Sequence, residues 1–161
     1  MVESLQNFLQ NFFSDETVVF ILSLLPISEI RGGMIYAAAK DLNVITAFII
    51  SYIGNMLPIP FILMFLKKVF KWMRKIPKLG KVVDALLRKA ERGSTKLGKY
   101  GKWGLFILVA IPLPGTGAWT GALVADFVDM RMKYALPIFA AGVLAAGLIV
   151  SAASYGLFSF M

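Results

Sequence analysis

The sequence contains no cysteine and no histidine. The first absence excludes disulfides, thiolate nucleophiles and thiolate metal sites. The second excludes imidazole metal ligands and the Ser/His machinery of hydrolases. Charge is also scarce: 16% of the 161 residues are Asp, Glu, Lys or Arg, where a soluble domain carries about 25%. Too few polar residues remain to cover a water-facing surface. Clustered carboxylates are lacking as well, so an enzyme, a metal centre and a bound cofactor are not expected. Nine Asp/Glu, seventeen Lys/Arg and the hydroxyls are left for proton or ligand chemistry.

What the chain does have is apolar residues, 58% of the total, gathered into runs. Four segments, 17–39, 43–66, 103–125 and 133–160, each reach the roughly 20 residues that cross a bilayer as helix. The opening Met1–Ser4 has no basic residue ahead of an apolar run, and the first Lys/Arg is Arg31, so no cleaved secretory signal is expected. Val2, Leu5, Leu9 and Phe12 recur at helical spacing. Residues 2–13 are therefore expected to lie as an amphipathic helix on the membrane surface. Ser14 is placed to cap the helix that opens with Asp15 and Glu16. The whole of 1–161 reads as a single all-α integral membrane domain.

Segments 43–66 and 133–160 read as plain transmembrane helices. The first of them is expected to kink at Pro58 and Pro60. The last carries Ala141/Ala145 and Gly142/Ala146 at spacing four, a small-residue face that lets helices approach closely. Segments 17–39 and 103–125 differ, since each is broken at its middle: the first by Leu25–Pro–Ile–Ser–Glu–Ile–Arg–Gly–Gly33, the second by Ile111–Pro–Leu–Pro–Gly–Thr–Gly–Ala–Trp–Thr–Gly121. Proline removes a helix hydrogen bond, and glycine loosens the backbone beyond it. Backbone broken at membrane depth is tolerated only where protein or a watery cavity satisfies it. Both segments are therefore expected to be re-entrant helical hairpins. Pro26 precedes Pro112 by 86 positions, and each break leads into a half-helix, a polar corner (Lys40–Asn43; Asp126–Lys133) and a full span. Paired broken segments of this kind point to an inverted-repeat transporter with a midplane site.

Thirteen of the seventeen Lys/Arg fall in residues 67–102 against only Asp84 and Glu91, which places this stretch in the cytoplasm of a plasma-membrane protein. Leu79, Val83, Leu86, Ala90, Gly93, Leu97 and Tyr100 alternate at spacings of four and three. That is one apolar stripe on a basic helix, as expected for contact with anionic inner-leaflet lipids. Nucleic acid is not an expected partner, because the topology already accounts for the lysines.

Glu29 and Arg31 sit inside an apolar segment, where a charge costs at least about 2.5–3.5 kcal/mol at mid-helix. The expected roles are a proton carrier for Glu29 and an anion or phosphate contact for Arg31; a structural ion pair stapling the hairpin is the competing account. Pro26, Gly32 and Gly33 shape that hairpin, and Asn55 is placed to hydrogen-bond it from the next span. In the second hairpin Pro112, Pro114, Gly115 and Gly117 are expected to free backbone N–H groups at a half-helix N-terminus. Thr116, Thr120 and Trp119 would line the same substrate site, or the segment is a tight packed turn. Asp126, Asp129, Arg131 and Lys133 are expected at the membrane interface, pairing with each other and with headgroups or taking part in coupling.

Pro26-x-x-Glu29-x-Arg31-Gly32-Gly33 and Pro112-Leu-Pro-Gly-Thr-Gly-Ala-Trp-Thr-Gly121, around a basic loop, resemble the small multidrug export family over residues 20–160. More distantly the chain is similar to the DedA/VTT superfamily. That resemblance implies paired re-entrant hairpins, with an acidic residue in the first (here Glu29) and proton-coupled transport or polyprenyl-phosphate translocation. It also implies arginines around the second-hairpin proline, where this chain has Gly, Thr and Ala instead. The expectation is a small secondary transporter, proton-coupled through Glu29 and assembled as a homo-oligomer, with substrate where the hairpin tips meet. A lipid-phosphate translocase and a membrane scaffold are the alternatives.

Overall fold

Proline, glycine and capping side chains set the helix boundaries. The computed structural model describes residues 14–73, 75, 84–85, 88, 102–113 and 115–158. In chain order the helices are α1 (Asp15–Leu24), α2 (Glu29–Ala39), α3 (Val44–Met56), α4 (Pro58–Met73), α5 (Lys102–Ala110), α6 (Ala118–Phe127) and α7 (Met132–Phe158). The fold is all-helical, with no strand among the described residues. The expected surface helix over 2–13, Pro114, and most of the basic stretch with its apolar stripe lie outside the described residues.

Ser14 caps α1, its hydroxyl accepting from the Thr17 N–H. The helix then stops at Pro26, which has no N–H to offer the Leu22 carbonyl four residues back. The Ser28 hydroxyl donates to that carbonyl instead, at 2.5 Å. The break is thereby confined to Leu25–Ser28, shorter than the sequence suggests: Glu29, Arg31, Gly32 and Gly33 are all helical. Pro112 strands the Leu108 carbonyl in the same way, and here the Gly117 N–H donates to it at 3.1 Å.

The two broken segments run in register. α1 and α5 end 86 residues apart, at Leu24 and Ala110; α2 and α6 end 88 apart, at Ala39 and Phe127; α3 and α7 start 88 apart, at Val44 and Met132. The second break is three residues longer and α6 is one residue shorter than α2, so the register shifts by two. The corners after α2 and α6 agree bond for bond. Lys40, Asp41 and Leu42 donate to the carbonyls of Tyr36, Ala38 and Ala37; Val128, Asp129 and Met130 donate to those of Val124, Asp126 and Ala125. Asp41 (φ 55°) and Asp129 (φ 53°) both take the left-handed conformation that such helix ends require.

After the first corner, the Asn43 side chain accepts from the N–H groups of Ile45 (3.0 Å) and Thr46 (3.2 Å) and starts α3. Asn43→Ala is expected to cost about 1 kcal/mol, seen as a lower thermal midpoint in detergent. Leu57 stays helical and bonds to the Ile53 carbonyl, so α3 runs into α4 in spite of Pro58 and Pro60. Val44–Leu66 (23 residues) and Met132–Gly156 (25 residues) are long and apolar enough to cross a membrane. Ile45, Ile49 and Ile53 of α3, with Leu57 just after it, are exposed at spacing four, and Leu144, Leu148 and Ile149 of α7 are exposed as well. Contiguous apolar faces of that extent are rare on soluble monomers, and hydrocarbon is the solvent that suits them.

The chain divides into two compact units. Unit 1 comprises residues 1–57 and 143–161, and unit 2 comprises 58–142. Unit 1 packs α1, α2 and α3 against one another; in unit 2, α6 packs on α4 and α5. Each unit thus holds one broken segment, the first half of the long helix that follows it, and the second half of the other long helix.

Candidate functional site

Unit 1 is built around an antiparallel helix pair. The Tyr36 hydroxyl donates to the Asp15 carboxylate at 2.5 Å at its open end, and the Ser28–Leu22 bond closes the tip. Gly33 lies between. A Cβ there would sit 2.7 Å from Ser51 Oγ and 3.0 Å from the Val19 carbonyl oxygen, and would collide with Ser23 Oγ. At Gly54 of α3 it would sit 2.8 Å from the Phe20 carbonyl oxygen. Three backbones therefore close in on Ser23, whose hydroxyl bonds to the Val19 carbonyl at 2.8 Å.

Unit 2 has the same frame with different contents. Val109, at the position matching Ser23, lies between Gly121 and Gly142, which match Gly33 and Gly54. Added Cβ atoms there would approach Val109 to 2.7 and 2.8 Å. Phe106, matching Phe20, again turns its carbonyl toward the second glycine, at 3.4 Å. The difference is polarity. The buried polar side chains among the described residues are Ser23, Glu29, Ser51, Asn55, Ser151 and Ser154, and all six belong to unit 1. The residues matching the first four are Val109, Gly117, Phe139 and Val143, all buried. Val109, Gly117 and Phe139 lie in unit 2, which therefore forms the same glycine contacts without polar side chains at those positions.

Glu29 is the most costly member of this set. Its residue is 5% exposed and its φ is 51°, a backbone state that costs a side-chain-bearing residue about 1–2 kcal/mol. The matching residue is Gly117, with φ 119°, for which that region is open. Arg31, half-buried one position beyond Ile30, interacts electrostatically with the Glu29 carboxylate. Asn55 stands at the same level as Glu29. Gly33 packs on Ser51, α2 runs antiparallel to α3, and Glu29 and Asn55 each lie four residues nearer the tip. Asn55 is 1% exposed, and neither amide atom has a hydrogen-bond partner among the described residues; the same holds for Ser51 Oγ.

The second motif is arranged differently from expectation. The Gly117 N–H is not presented to a ligand, because it serves the carbonyl that Pro112 strands. The Thr116 hydroxyl is also drawn into the turn, 2.7 Å from the carbonyls of both Ile111 and Leu113. Gly115 (φ 83°) is exposed, Pro112 is half-buried, and Trp119 and Thr120 are half-buried in the first turn of α6. In the first break Pro26 is exposed, and Gly32 is half-buried beside Ser28. Asp126 belongs to α6 rather than to the corner after it, while Asp129, Arg131 and Lys133 are exposed at that corner. Sequence reasoning found Glu29 and Asn55 but passed over Ser51 and Ser23. Ser51 had a legible signal: it precedes Asn55 by one helical turn, on the same face of an otherwise apolar span.

No curated protein and no solved structure matches the chain. Residues 29–149, from the buried glutamate well into α7, match the family described as "Putative small multi-drug export protein", and the chain belongs to that family.

Proposed function

We propose that the protein is a small secondary transporter of the plasma membrane, exporting small molecules and coupled to protons through Glu29. One observation carries the reading: a carboxylate is buried in strained backbone where the matching frame holds glycine. A membrane-embedded acid is suited to taking up and releasing a proton as its exposure changes. The family name supports small-molecule export.

The matched corners and glycine contacts support two further elements of the reading. α1/α2 and α5/α6 are re-entrant hairpins, since ten helical residues extend about 15 Å, half of a hydrocarbon core of roughly 30 Å. The two long helices cross in opposite senses, giving an inverted repeat about an axis in the membrane plane. The basic stretch 67–102 then lies in the cytoplasm against anionic lipid. Two spans and two hairpins enclose little volume, so the working form is a homo-oligomer. A lipid-phosphate translocase draws less support, because the Gly117 N–H that would hold phosphate is engaged by Leu108.

The test is transport by the full chain in proteoliposomes, with ethidium as probe and an imposed pH gradient. Glu29→Gln, which removes the titration and keeps the shape, is expected to lower gradient-driven flux at least tenfold while the protein stays monodisperse. Flux equal to wild type would sink the proton role, and is what a scaffold would give.

A further inference from the structure

Unit 1 keeps more buried polarity than Glu29 alone requires. Ser51 Oγ and both amide atoms of Asn55 are enclosed, one turn apart on one face of α3, and have no hydrogen-bond partner among the described residues. Leaving a buried polar group unsatisfied costs about 1–3 kcal/mol, and the matching positions after the second break hold Phe139, in unit 2, and Val143, where unit 1 resumes. The pair is therefore retained for something it binds. The donor–acceptor inventory identifies the class of ligand. Asn55 offers a carbonyl oxygen and an amide N–H2, and Ser51 offers a hydroxyl that both gives and takes. A bare cation would use the oxygens and be repelled by the amide hydrogens. Water suits all three, and buried water typically makes two to four such bonds.

We propose that Ser51 and Asn55 hold ordered water that links the Glu29 carboxyl to the end of unit 1 carrying Asp15 and Asn43, so that Glu29 exchanges protons with that side of the membrane. This rests on the proton role proposed above and adds its route. The geometry supplies the steps. Asn55 stands level with Glu29, Ser51 is one turn further, and Ala47 is one turn beyond that. Ala47 lines a cleft of about 120 Å³ together with Glu16, Asn43 and Thr46. Eight residues of helix, about 12 Å, separate Ala47 from Asn55, a distance a short file of waters covers. The other titratable or charged groups on the packed elements and the corner between them are Asp15, Glu16, Arg31, Tyr36, Lys40, Asp41, Tyr52 and Tyr155. Asp15 and Tyr36 bond to each other and Tyr155 bonds to the Leu42 carbonyl, whereas Arg31 and Glu29 interact electrostatically. Ser51 and Asn55 are positioning residues, neutral throughout.

The test measures how fast Glu29 responds to a pH jump on one side of proteoliposomes bearing oriented full-length protein. A hydrophobic carbodiimide, which modifies carboxylic acids in their protonated form, is the probe, and mass spectrometry locates the adduct. In wild type, labelling of Glu29 follows a jump on the Asp15 side. Asn55→Val and Ser51→Phe, which copy Val143 and Phe139, slow that response at least tenfold. Ser51→Ala does so to a lesser degree and covers the case in which Ser51→Phe fails to fold. A response unchanged in Asn55→Val and Ser51→Ala overturns the route but leaves the proton role of Glu29 standing. Labelling suppressed by sodium at constant pH overturns water in favour of a cation site. Labelling of wild type that ignores pH on both sides overturns the route and the proton role together.

Discussion

Glu29→Gly is expected to yield a protein that is more stable than wild type and inactive in proton-coupled transport. Two terms act in the same direction on stability. The left-handed backbone at residue 29 ceases to be strained, which is worth about 1–2 kcal/mol, and an acid is removed from a position that is 5% exposed. Against these stands the greater flexibility of glycine in the unfolded chain, roughly 0.5–1 kcal/mol. The net expectation is a gain of about 1 kcal/mol, measured as a higher thermal midpoint in detergent, with transport at background. Gly117 is the internal precedent, because the same turn into the same half-helix is made there by glycine. A stability falling by about 1 kcal/mol or more would show that the carboxylate is structural, an ion pair with Arg31 that staples the hairpin. That result would remove the main support for the transport reading.

Gly33→Leu should have the opposite effect. The glycine faces the Val19 carbonyl oxygen and two serine hydroxyls on two different helices. Neither backbone nor serine can swing aside as the end of a long side chain would. Overpacking a tight core costs about 1–3 kcal/mol; at a three-helix contact with no flexible neighbour the upper end applies, and α1, α2 and α3 should separate. The measurement is the fraction of monodisperse protein after purification, together with the thermal midpoint. Gly156→Leu is the control. A Cβ at residue 156 meets nothing within 4 Å, and leucine is the better helix former by nearly 1 kcal/mol, so that variant should be as stable as wild type or more so. Equal behaviour of the two variants would mean that the close approach at Gly33 does not hold unit 1 together.

Much of this arrangement was legible in one dimension. Pro26 and Pro112 mark the breaks because a missing N–H cannot be hidden in an apolar run, and the polar corners after α2 and α6 were visible as charge between apolar segments. The limits of the first break were not legible. Gly32–Gly33 looks like loosened backbone in the sequence, but both glycines are helical, and Gly33 serves the approach of α1 and α3, which depends on partners far along the chain. The register of the match was also half hidden. The proline spacing of 86 holds only up to the breaks, and a net shift of two across the second carries everything after it to 88. For the candidate site, charge inside an apolar segment singled out Glu29 and Arg31, with a structural ion pair as the competing account. The second motif misled for a physical reason: Gly-Thr-Gly suggests free N–H groups, but Pro112 had already stranded a carbonyl that takes one of them. Which apolar frame positions carry serine in one unit and valine or phenylalanine in the other emerges only when the two frames are laid side by side.

Unit 1 joins residues 1–57 to residues 143–161, and this bears on biosynthesis. The helices α1, α2 and α3 are completed by the second half of α7, which is made after them. At about 5–20 residues per second, the 85 residues between them take roughly 4–17 s to make. For that interval Ile30 lacks Gly147 at its side and Leu42 lacks the Tyr155 hydroxyl. Glu29 therefore spends that interval in a unit that is still unfinished, and a chain truncated before residue 143 would leave it so permanently.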